Sequence, residues 1–381
     1  MQCKNCNNDF TITDEDQKFY NKLDVPQPTH CPDCRQQRRW SYKNDLTLYP
    51  RKCNNCKQDV ISMYDPDSPE VYNIYCQDCW QGDKWAGEDH AMDYDFDRSF
   101  FNQFKELKKK VPRQALINNN SVNSPYCNFA DFNKDCYLVS MCNDNEDCYY
   151  GLWLVENKSC VDISYCRKCE FCYQLVDCVN CYEVFHSQMC NDCSHSRHMF
   201  DCRNCHDCLG CVGLRNQSYR IFNKKYSEDE YKEKIKNLTP EEIANNFNEL
   251  KIKHPRRCLI GSHNNNSSGD YLNNCNNTHN CFDAQEDNNC SYCYDGLRSK
   301  DCYDIAGYDQ MELSYECISA GWGSNYYFSY YCRKSYNVWY CDSCHSCKDC
   351  FGCVGLKHKQ YYIFNKQYNE KEYKELREKN D

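Results

Sequence analysis

DCRNCHDCLGCVGL, residues 201–214, carries a cysteine at every third position, and SCHSCKDCFGCVGL, residues 343–356, repeats the pattern near the C-terminus. The threefold spacing runs backward from each copy. Every cysteine from Cys127 to Cys211 obeys it, and so does every cysteine from Cys275 to Cys353. A period of three fits neither an amphipathic helix nor a flat strand, whose periods are about 3.6 and 2. It fits a narrow coil with short sides, in which one residue of each side points inward. Columns recur at twelve residues: Cys166, Cys178, Cys190 and Cys202; Cys169, Cys181, Cys193 and Cys205; Cys136, Cys148, Cys160 and Cys172. A rung of twelve with four inward positions follows. Other inward positions are mostly small (Ser124, Ala130, Gly151, Ala284, Gly296, Ala320, Gly323), while Tyr308 and Tyr326 predict local bulges. Stacked rungs share one continuous core, so each needs its neighbours.

Composition supports an unusual interior. Leu, Ile, Val and Phe are scarce, which commonly marks disorder, but 37 Cys and 33 Tyr supply other material. Free cysteine packs as a small apolar residue. The net charge of −10 is uneven: residues 1–57 hold ten Lys/Arg and seven Asp/Glu, residues 123–212 six and thirteen, residues 265–354 five and twelve. Shafts this acidic repel nucleic acid. No charged-then-apolar leader precedes Cys3 and no apolar run approaches membrane-spanning length, so the expectation is a cytoplasmic protein with reduced thiols and no membrane partner. A disulfide-rich secreted chain is the rival reading.

Ahead of the repeats stand two cysteine quartets. Cys3-x-x-Cys6 pairs with Cys31-x-x-Cys34, and Cys53-x-x-Cys56 with Cys76-x-x-Cys79. Each tight CxxC turn presents two thiolates to one ion, and two turns complete the tetrahedron that Zn2+ prefers. Two structural zinc sites are expected. A thioredoxin-like redox CxxC would need a βαβ setting that is absent. Between the second pair of turns, DVISMYDPDSPEVYNIY (59–75) predicts a β-hairpin. Arg35, Arg38, Arg39 and Arg51, with Lys43, Lys52, Trp40, Tyr42 and Tyr49 among them, form a basic and aromatic cluster. Such a cluster can hold phosphates and stack bases, so residues 1–57 are the candidate nucleic-acid contact; a solvated basic surface is the alternative. Asp93, Asp95 and Asp97 have the opening rhythm of a calcium loop, but Arg98 stands where glycine is needed, so the stretch reads as a solvated acidic turn. Ser99 is expected to cap a helix running to about Lys110, with Phe100, Phe101, Phe104 and Leu107 as its apolar stripe.

The repeat regions are duplicates. DCLGCVGLRNQSYRIFNKKYSEDEYKEKI (207–235) matches DCFGCVGLKHKQYYIFNKQYNEKEYKEL (349–376). Ser227-x-x-Glu230 and Asn369-x-x-Glu372 read as capping boxes, and Thr239-Pro240-Glu241 starts a further helix. The expected organisation is a zinc ribbon at 1–50, a second zinc module at 51–97, a helical connector at 98–122, a solenoid at 123–226, a helical cap and linker at 227–254, a second solenoid at 255–368 and a helix at 369–381. The fold class is therefore mainly β: N-terminal zinc ribbons, then two tandem β-solenoids with twelve-residue rungs, capped by short helices.

CKNCNNDFTITDEDQKFYNKLDVPQPTHCPDCRQQRRW, residues 3–40, resembles a family of zinc-ribbon domains through CxxC, Phe10, the acidic turn before Phe19-Tyr20, and CPDCR with its basic tail. That resemblance implies a zinc-bound mini-domain. CPDCRQQRR, the WQGDKW stretch and both GCVGL…IFNK segments together resemble a cysteine-rich zinc-ribbon protein family of unknown function from candidate-phylum bacteria. This wider resemblance implies organisation, not mechanism. The inward spacing also resembles the twelve-residue solenoids of some insect antifreeze proteins, but the regular Thr-x-Thr face is missing, so ice binding does not carry over.

Three states are open to the inward thiols. They can pack reduced, bind soft metals, or bridge rungs as disulfides. For metal, the candidate quartets are Cys202, Cys205, Cys208 and Cys211, then Cys344, Cys347, Cys350 and Cys353, each occupying one rung, and stacked pairs such as Cys166/Cys169 over Cys178/Cys181 are another. No P-loop, Rossmann glycine pattern or HExxH occurs, and His186, His195, His198 and His206 lack an evident catalytic partner. The sequence predicts a non-enzymatic zinc-binding scaffold with a protein partner and no small-molecule substrate. A soft-metal store or chaperone, and a nucleic-acid-binding protein, are the alternatives.

Overall fold

The computed structural model describes residues 1–68, 72–165, 172–176, 182–297, 318 and 324–379. Cys166, Cys169, Cys178, Cys181, Tyr308, Ala320, Gly323 and the side chains of Cys172 and Tyr326 lie outside the described residues. Two β-solenoid shafts dominate. The first is one eleven-stranded sheet running from Asn118–Asn119 to Lys224–Lys225, so it begins before the expected residue 123. The second comprises a four-stranded sheet from Gly261–Ser262 to Tyr294–Leu297 and a five-stranded sheet from Ser324–Tyr327 to Lys366–Gln367. Strands pair parallel at an offset of twelve, as in Tyr137 with Tyr149 and Cys148 with Cys160. The first rung of the second shaft is one residue short: Gly261 pairs with Leu272. The shortened side turns at Gly269 (φ +135), where a Cβ would lie 1.7 Å from the Cys281 carbonyl oxygen. Only glycine fits there.

The rung is square because its corners are left-handed. The residue before each inward position has φ near +50: Asp135 (54) before Cys136, Asp147 (59) before Cys148, Asp201 (49) before Cys202, Ser343 (55) before Cys344. Asp and Asn tolerate this region through local hydrogen bonding, but Phe132 (54), Leu138 (50) and Trp153 (61) adopt it too. For such residues the conformation costs roughly 1–2 kcal/mol each, which the stacking of rungs must offset. Phe132 is 57% exposed and so contributes little packing in return. Phe132→Asn is expected to stabilise the protein by about 1 kcal/mol, seen as a higher denaturant midpoint.

Inside the shafts the thiols act as small donors. Cys136 Sγ donates to the carbonyls of Lys134 (3.3 Å) and Asn145 (3.6 Å), and Cys202 Sγ to those of Phe200 (3.4 Å) and Cys211 (3.6 Å). Cysteine thus fills a cramped interior and partners backbone carbonyls at once. One column is amide instead. Asn145 Nδ2 donates to Asn133 Oδ1 (2.8 Å) and Asn157 Nδ2 to Asn145 Oδ1 (3.0 Å), with all three residues buried. The twelve-residue spacing of these asparagines was visible in the sequence, but the expectation of small inward residues passed over them.

The shafts lie side by side and run in opposite directions. Early in the first, Asp131 pairs with Arg333 (3.3 Å) and Phe129 meets Tyr331 (6.2 Å) from late in the second. Midway along the first, Tyr165 bonds Tyr294 and Asp283 from early in the second. Asp201 anchors the linker between them, accepting from Arg215 (2.8 Å) and Arg257 (3.3 Å) and lying 3.2 Å from His254 Nε2.

The duplicated GCVGL…IFNK segments close the shafts. Gly210 (φ +63) and Gly352 (φ +62) leave room for the rings of Phe222 and Phe364 one rung later; a Cβ would sit 2.5 and 2.8 Å from them. Asn223 and Asn365 then accept from and donate to the backbones of Val212 and Val354. Each edge ends in a short antiparallel strand, Lys224–Lys225 or Lys366–Gln367, and a helix packs beside it. The boxes at Ser227, Thr239 and Asn369 all form, starting helices Glu228–Ile235, Pro240–Lys253 and Glu370–Glu378.

Three expectations for the N-terminal region are corrected. The acidic turn before Phe19 is the helix α1 (Asp14–Leu23), begun by a Thr13–Asp16 capping box. The 59–75 hairpin does not form, because its two halves pair elsewhere, as described below. The helix Phe100–Lys110 exists, but Ser99 makes no side-chain cap; the amide of Gln103 donates back to the Asp95 carbonyl (2.9 Å).

Candidate metal centres

Both cysteine quartets are built on one plan. In the first, Cys3–Asn8 forms a tight knuckle: Asn7 N donates to Cys3 O (3.0 Å), Cys3 N to Asn8 O (2.9 Å), and Asn7 turns at φ 60. After α1, Cys31 is the N-cap of α2 (Pro32–Trp40), with Pro32 opening the helix and Cys34 in its first turn. In the second, the knuckle Cys53–Gln58 is the turn of a hairpin between β1 (Tyr49–Lys52) and β2 (Asp59–Ser62). Lys57 (φ 66) takes the place of Asn7, and Cys76 caps α3 (Gln77–Gln81) as Cys31 caps α2. The strand β3 (Ile74–Tyr75) pairs with β4 (Arg113–Gln114), not with β2. A knuckle whose own flanks make the hairpin leaves no partner for the segment between the two turns.

Within each quartet the four Sγ atoms lie within 4.8 Å of one another. Cys6 and Cys31 sulfurs are 3.7 Å apart, and those of Cys56 and Cys76 3.8 Å. A tetrahedron of sulfurs around zinc, with bonds of about 2.3 Å, has edges of about 3.8 Å. The residues present therefore fit a tetrahedral thiolate ion. Backbone N–H groups support the thiolates: Cys31 N lies 3.2 Å from Cys3 Sγ and Cys76 N 3.2 Å from Cys53 Sγ. Burial opposes ionisation at Cys3, but N–H groups of Cys6, Cys31 and Asn5 outweigh it and hold the thiol down at about 5. Cys53 is likewise held at about 6 against burial, by N–H groups of Cys76, Cys56 and Asn55. Burial pushes Cys31 and Cys76 up to about 12. The α2 N-terminus adds its positive end to the first site.

Both modules clasp the second shaft. Phe19, Tyr20 and Leu23 of α1 pack with Tyr292, Phe328 and Trp339. Trp80 of α3 meets His345 (6.2 Å) and lies under the Lys357 ammonium (4.2 Å). The Arg113 guanidinium is buried against Asp342. Asp93, from the acidic turn, pairs with Lys366.

His345 lies between Trp80 and Tyr331, and its Nε2 is enclosed with no hydrogen-bond partner. Burial, then the charges of Arg333, Lys357 and His358, push its pKa down to about 4. The unfolded chain, with an ordinary value near 6.5, binds more protons between the two values. This contribution to stability is complete above about pH 6.5 and lost as pH falls, by about 3 kcal/mol at pH 4. In His345→Phe the difference in urea midpoint between pH 7.5 and 4.5 should be smaller than in the wild type by that contribution.

The remaining site residues fall out differently. Arg35 and Arg39 are 2% exposed. Arg35 donates to the His30 carbonyl (2.8 Å) and covers the Tyr292 ring, Arg38 covers Phe328, and half-buried Arg51 donates to the Tyr64 carbonyl (3.3 Å). Arg35 and Arg39 pack between module and shaft and are not available to a nucleic acid in this fold, while Arg38, Trp40, Tyr42 and Lys52 remain exposed. In the shafts, Cys202, Cys205, Cys208 and Cys211 are buried, as are Cys344, Cys347, Cys350 and Cys353. Among the described residues, however, no His, Cys, Asp or Glu group beyond the two N-terminal quartets brings three ligand atoms within 4.8 Å of one another. Neither rung quartet converges on a single ion.

The geometry of the first module agrees with a family model described as a probable treble clef domain, which matches residues 1–44. A treble clef is a knuckle followed by a helix that supplies the second ligand pair, and the second module repeats that plan outside the matched span. No curated protein matches the chain. Among solved structures, a crystal structure described as a putative acetyltransferase from Desulfovibrio desulfuricans G20 is 10% identical, covers 65% of this chain and 68% of its own, and has a TM-score of 0.14. No helix among the described residues is long and apolar enough to cross a membrane.

Proposed function

We propose that this protein is a non-enzymatic, zinc-clasped scaffold whose first shaft binds a basic segment of a protein partner. The observation that carries the proposal is a tyrosine-lined face of the first shaft that stays exposed beside the modules' own contacts with that shaft, such as Asn44 with Asn128 and Lys43 with Phe129. Tyr137, Tyr149 and Tyr150 are 36%, 36% and 52% exposed there. Tyr137 meets Tyr126 at 5.0 Å and Tyr150 at 5.7 Å, and a cleft beside them is lined by Asp135 and Asp147, with Glu146 paired there to Lys134 (2.7 Å) and Lys158 (3.7 Å). Aromatic faces with flanking carboxylates suit Arg and Lys side chains, which stack on rings and pair with acids. Zinc is the ion assigned to both treble clefs, from the donor set and the sulfur spacing. The free thiols of the described residues accord with a reducing, cytoplasmic setting, and the wider candidate-phylum family resemblance belongs to the same reading.

Fluorescence anisotropy with an arginine-rich peptide, a glutamate-rich peptide and a single-stranded RNA tests this. The arginine-rich peptide alone should bind, and Tyr137→Ser with Asp147→Asn should weaken it about tenfold or more. Tight, salt-sensitive RNA binding that these changes leave intact would overturn the proposal.

A further inference from the structure

The shaft thiols do not converge on points, but they do form closed rings. In the first shaft the twelve-residue register stacks Cys190 on Cys202 and Cys193 on Cys205, so the four thiols neighbour one another in a closed circuit, while each S–H donates to a backbone carbonyl, as from Cys190 to Gln188 and from Cys205 to Arg203. In the second, the contacts run Cys341, Cys344, Cys347, Cys350, Cys353 and back to Cys341, with Cys332 a further neighbour of Cys344. All nine ring members are at most 2% exposed. No three of these sulfurs lie mutually within 4.8 Å. Neighbours touch, and the diagonals are too long for one tetrahedral ion. That excludes the zinc geometry of the treble clefs and leaves the edges of each ring as positions for an ion held by only two sulfurs.

We propose that these rings are sites for a monovalent soft ion of low coordination number, Cu(I), with one ion bridging each pair of neighbouring thiolates. Thiolates select Cu(I), and burial favours the arrangement because it creates no net charge. In the first ring four R–SH groups and four Cu+ give a neutral Cu4S4 circuit and four H+, with no electron transferred. A bare thiolate in the same place would be an unpaired buried charge; at Cys202 the Cys190 sulfur lowers the pKa, but the neighbouring Cys205 sulfur and burial outweigh it and push the thiol up to about 12. Cys205 is the exception: the neighbouring sulfurs of Cys193 and Cys202 outweigh burial and hold it at about 3. The rings are independent of the partner-binding face, so the two proposals fail separately.

The test is anaerobic loading of the zinc-replete full-length protein with Cu(I), done both on native protein and during refolding, so that a closed shaft cannot hide the site. Uptake of about four Cu(I) in the first ring and about five in the second, with Cu–S luminescence and no zinc release, is expected. Cys205→Ser and Cys350→Ser, or the alanine versions if serine disturbs folding, should each lose most of one ring's copper. Cys127→Ser, which removes a shaft thiol outside both rings, should keep it all. Absence of copper luminescence under both loading conditions, copper bound only in exchange for zinc, or equal loss in all three variants would overturn the inference.

Discussion

Cys53→Ser should bind one metal ion per chain where the wild type binds two, and the region around it should become open to protease while the shafts stay folded. Cys53 is fully buried and its sulfur takes N–H groups from Cys76, Cys56 and Asn55. Without it the knuckle and α3 lose their common centre. A module this small has little apolar core of its own: Trp80 and Ile74 are among its few buried apolar residues. Metal binding therefore is folding energy here, of the order of 10 kcal/mol in isolated zinc domains. Trp80 and Trp85 pack under Lys357, so loss of module two also uncovers the end of the second shaft. Elemental analysis, limited proteolysis and thiol titration check this. Two ions still bound, or unchanged protease resistance, would show that the quartet is not a structural centre. Cys6→Ser should be milder, because Cys6 is exposed and sits at the rim of the first site.

The part of this fold that repeats was legible and the part that packs was not. A cysteine at every third residue fixes which side chains face inward and how many sides a rung has, because both follow from local period alone. The left-handed corners left only a partial trace. Asp135, Asp147 and Asn204 occupy them, but so do Leu138, Trp153 and Tyr361, and no residue preference predicts a tyrosine there. The metal ligands were legible because CxxC spacing is itself the geometry of the knuckle. Pro32 after Cys31 and the acidic run after Thr13 were available signals for α2 and α1; the second marks a helix start only when read as a capping box. The fate of Arg35, Arg38 and Arg39 was not legible. A basic, aromatic stretch looks the same in sequence whether it faces solvent or a Tyr-rich shaft nearly three hundred residues away. The antiparallel packing of the shafts decides that, and it rests on single distant pairs such as Asp131 with Arg333.

Asp342→Asn should destabilise the protein more than any exposed charge change, by about 3–5 kcal/mol. Arg113 joins the segment after the second module to the second shaft. Its guanidinium bonds Asp342, donates to the Tyr64 hydroxyl (3.1 Å) and lies over the Tyr72 ring at 4.8 Å. Lys108 adds a second cation 3.7 Å from Asp342. Burial would push Arg113 toward neutrality, but the Asp342 charge more than compensates, so its pKa stands above the ordinary arginine value. Removing the carboxylate leaves two cations facing an enclosed space, and arginine cannot shed its proton to escape. The pair need not be a strong net stabiliser, since desolvating both partners is costly and the Arg113 Nε lacks a partner. That distinction gives the test its second arm. Arg113→Met combined with Asp342→Leu should recover most of the loss, whereas Asp342→Asn alone should not. Surface pairs such as Lys52 with Asp59, mostly exposed, should change stability by less than about 1 kcal/mol when broken. If the double variant is as unstable as the single one, the pair stabilises the clasp by its own attraction, and Asp342 is more than the counter-charge to a buried arginine.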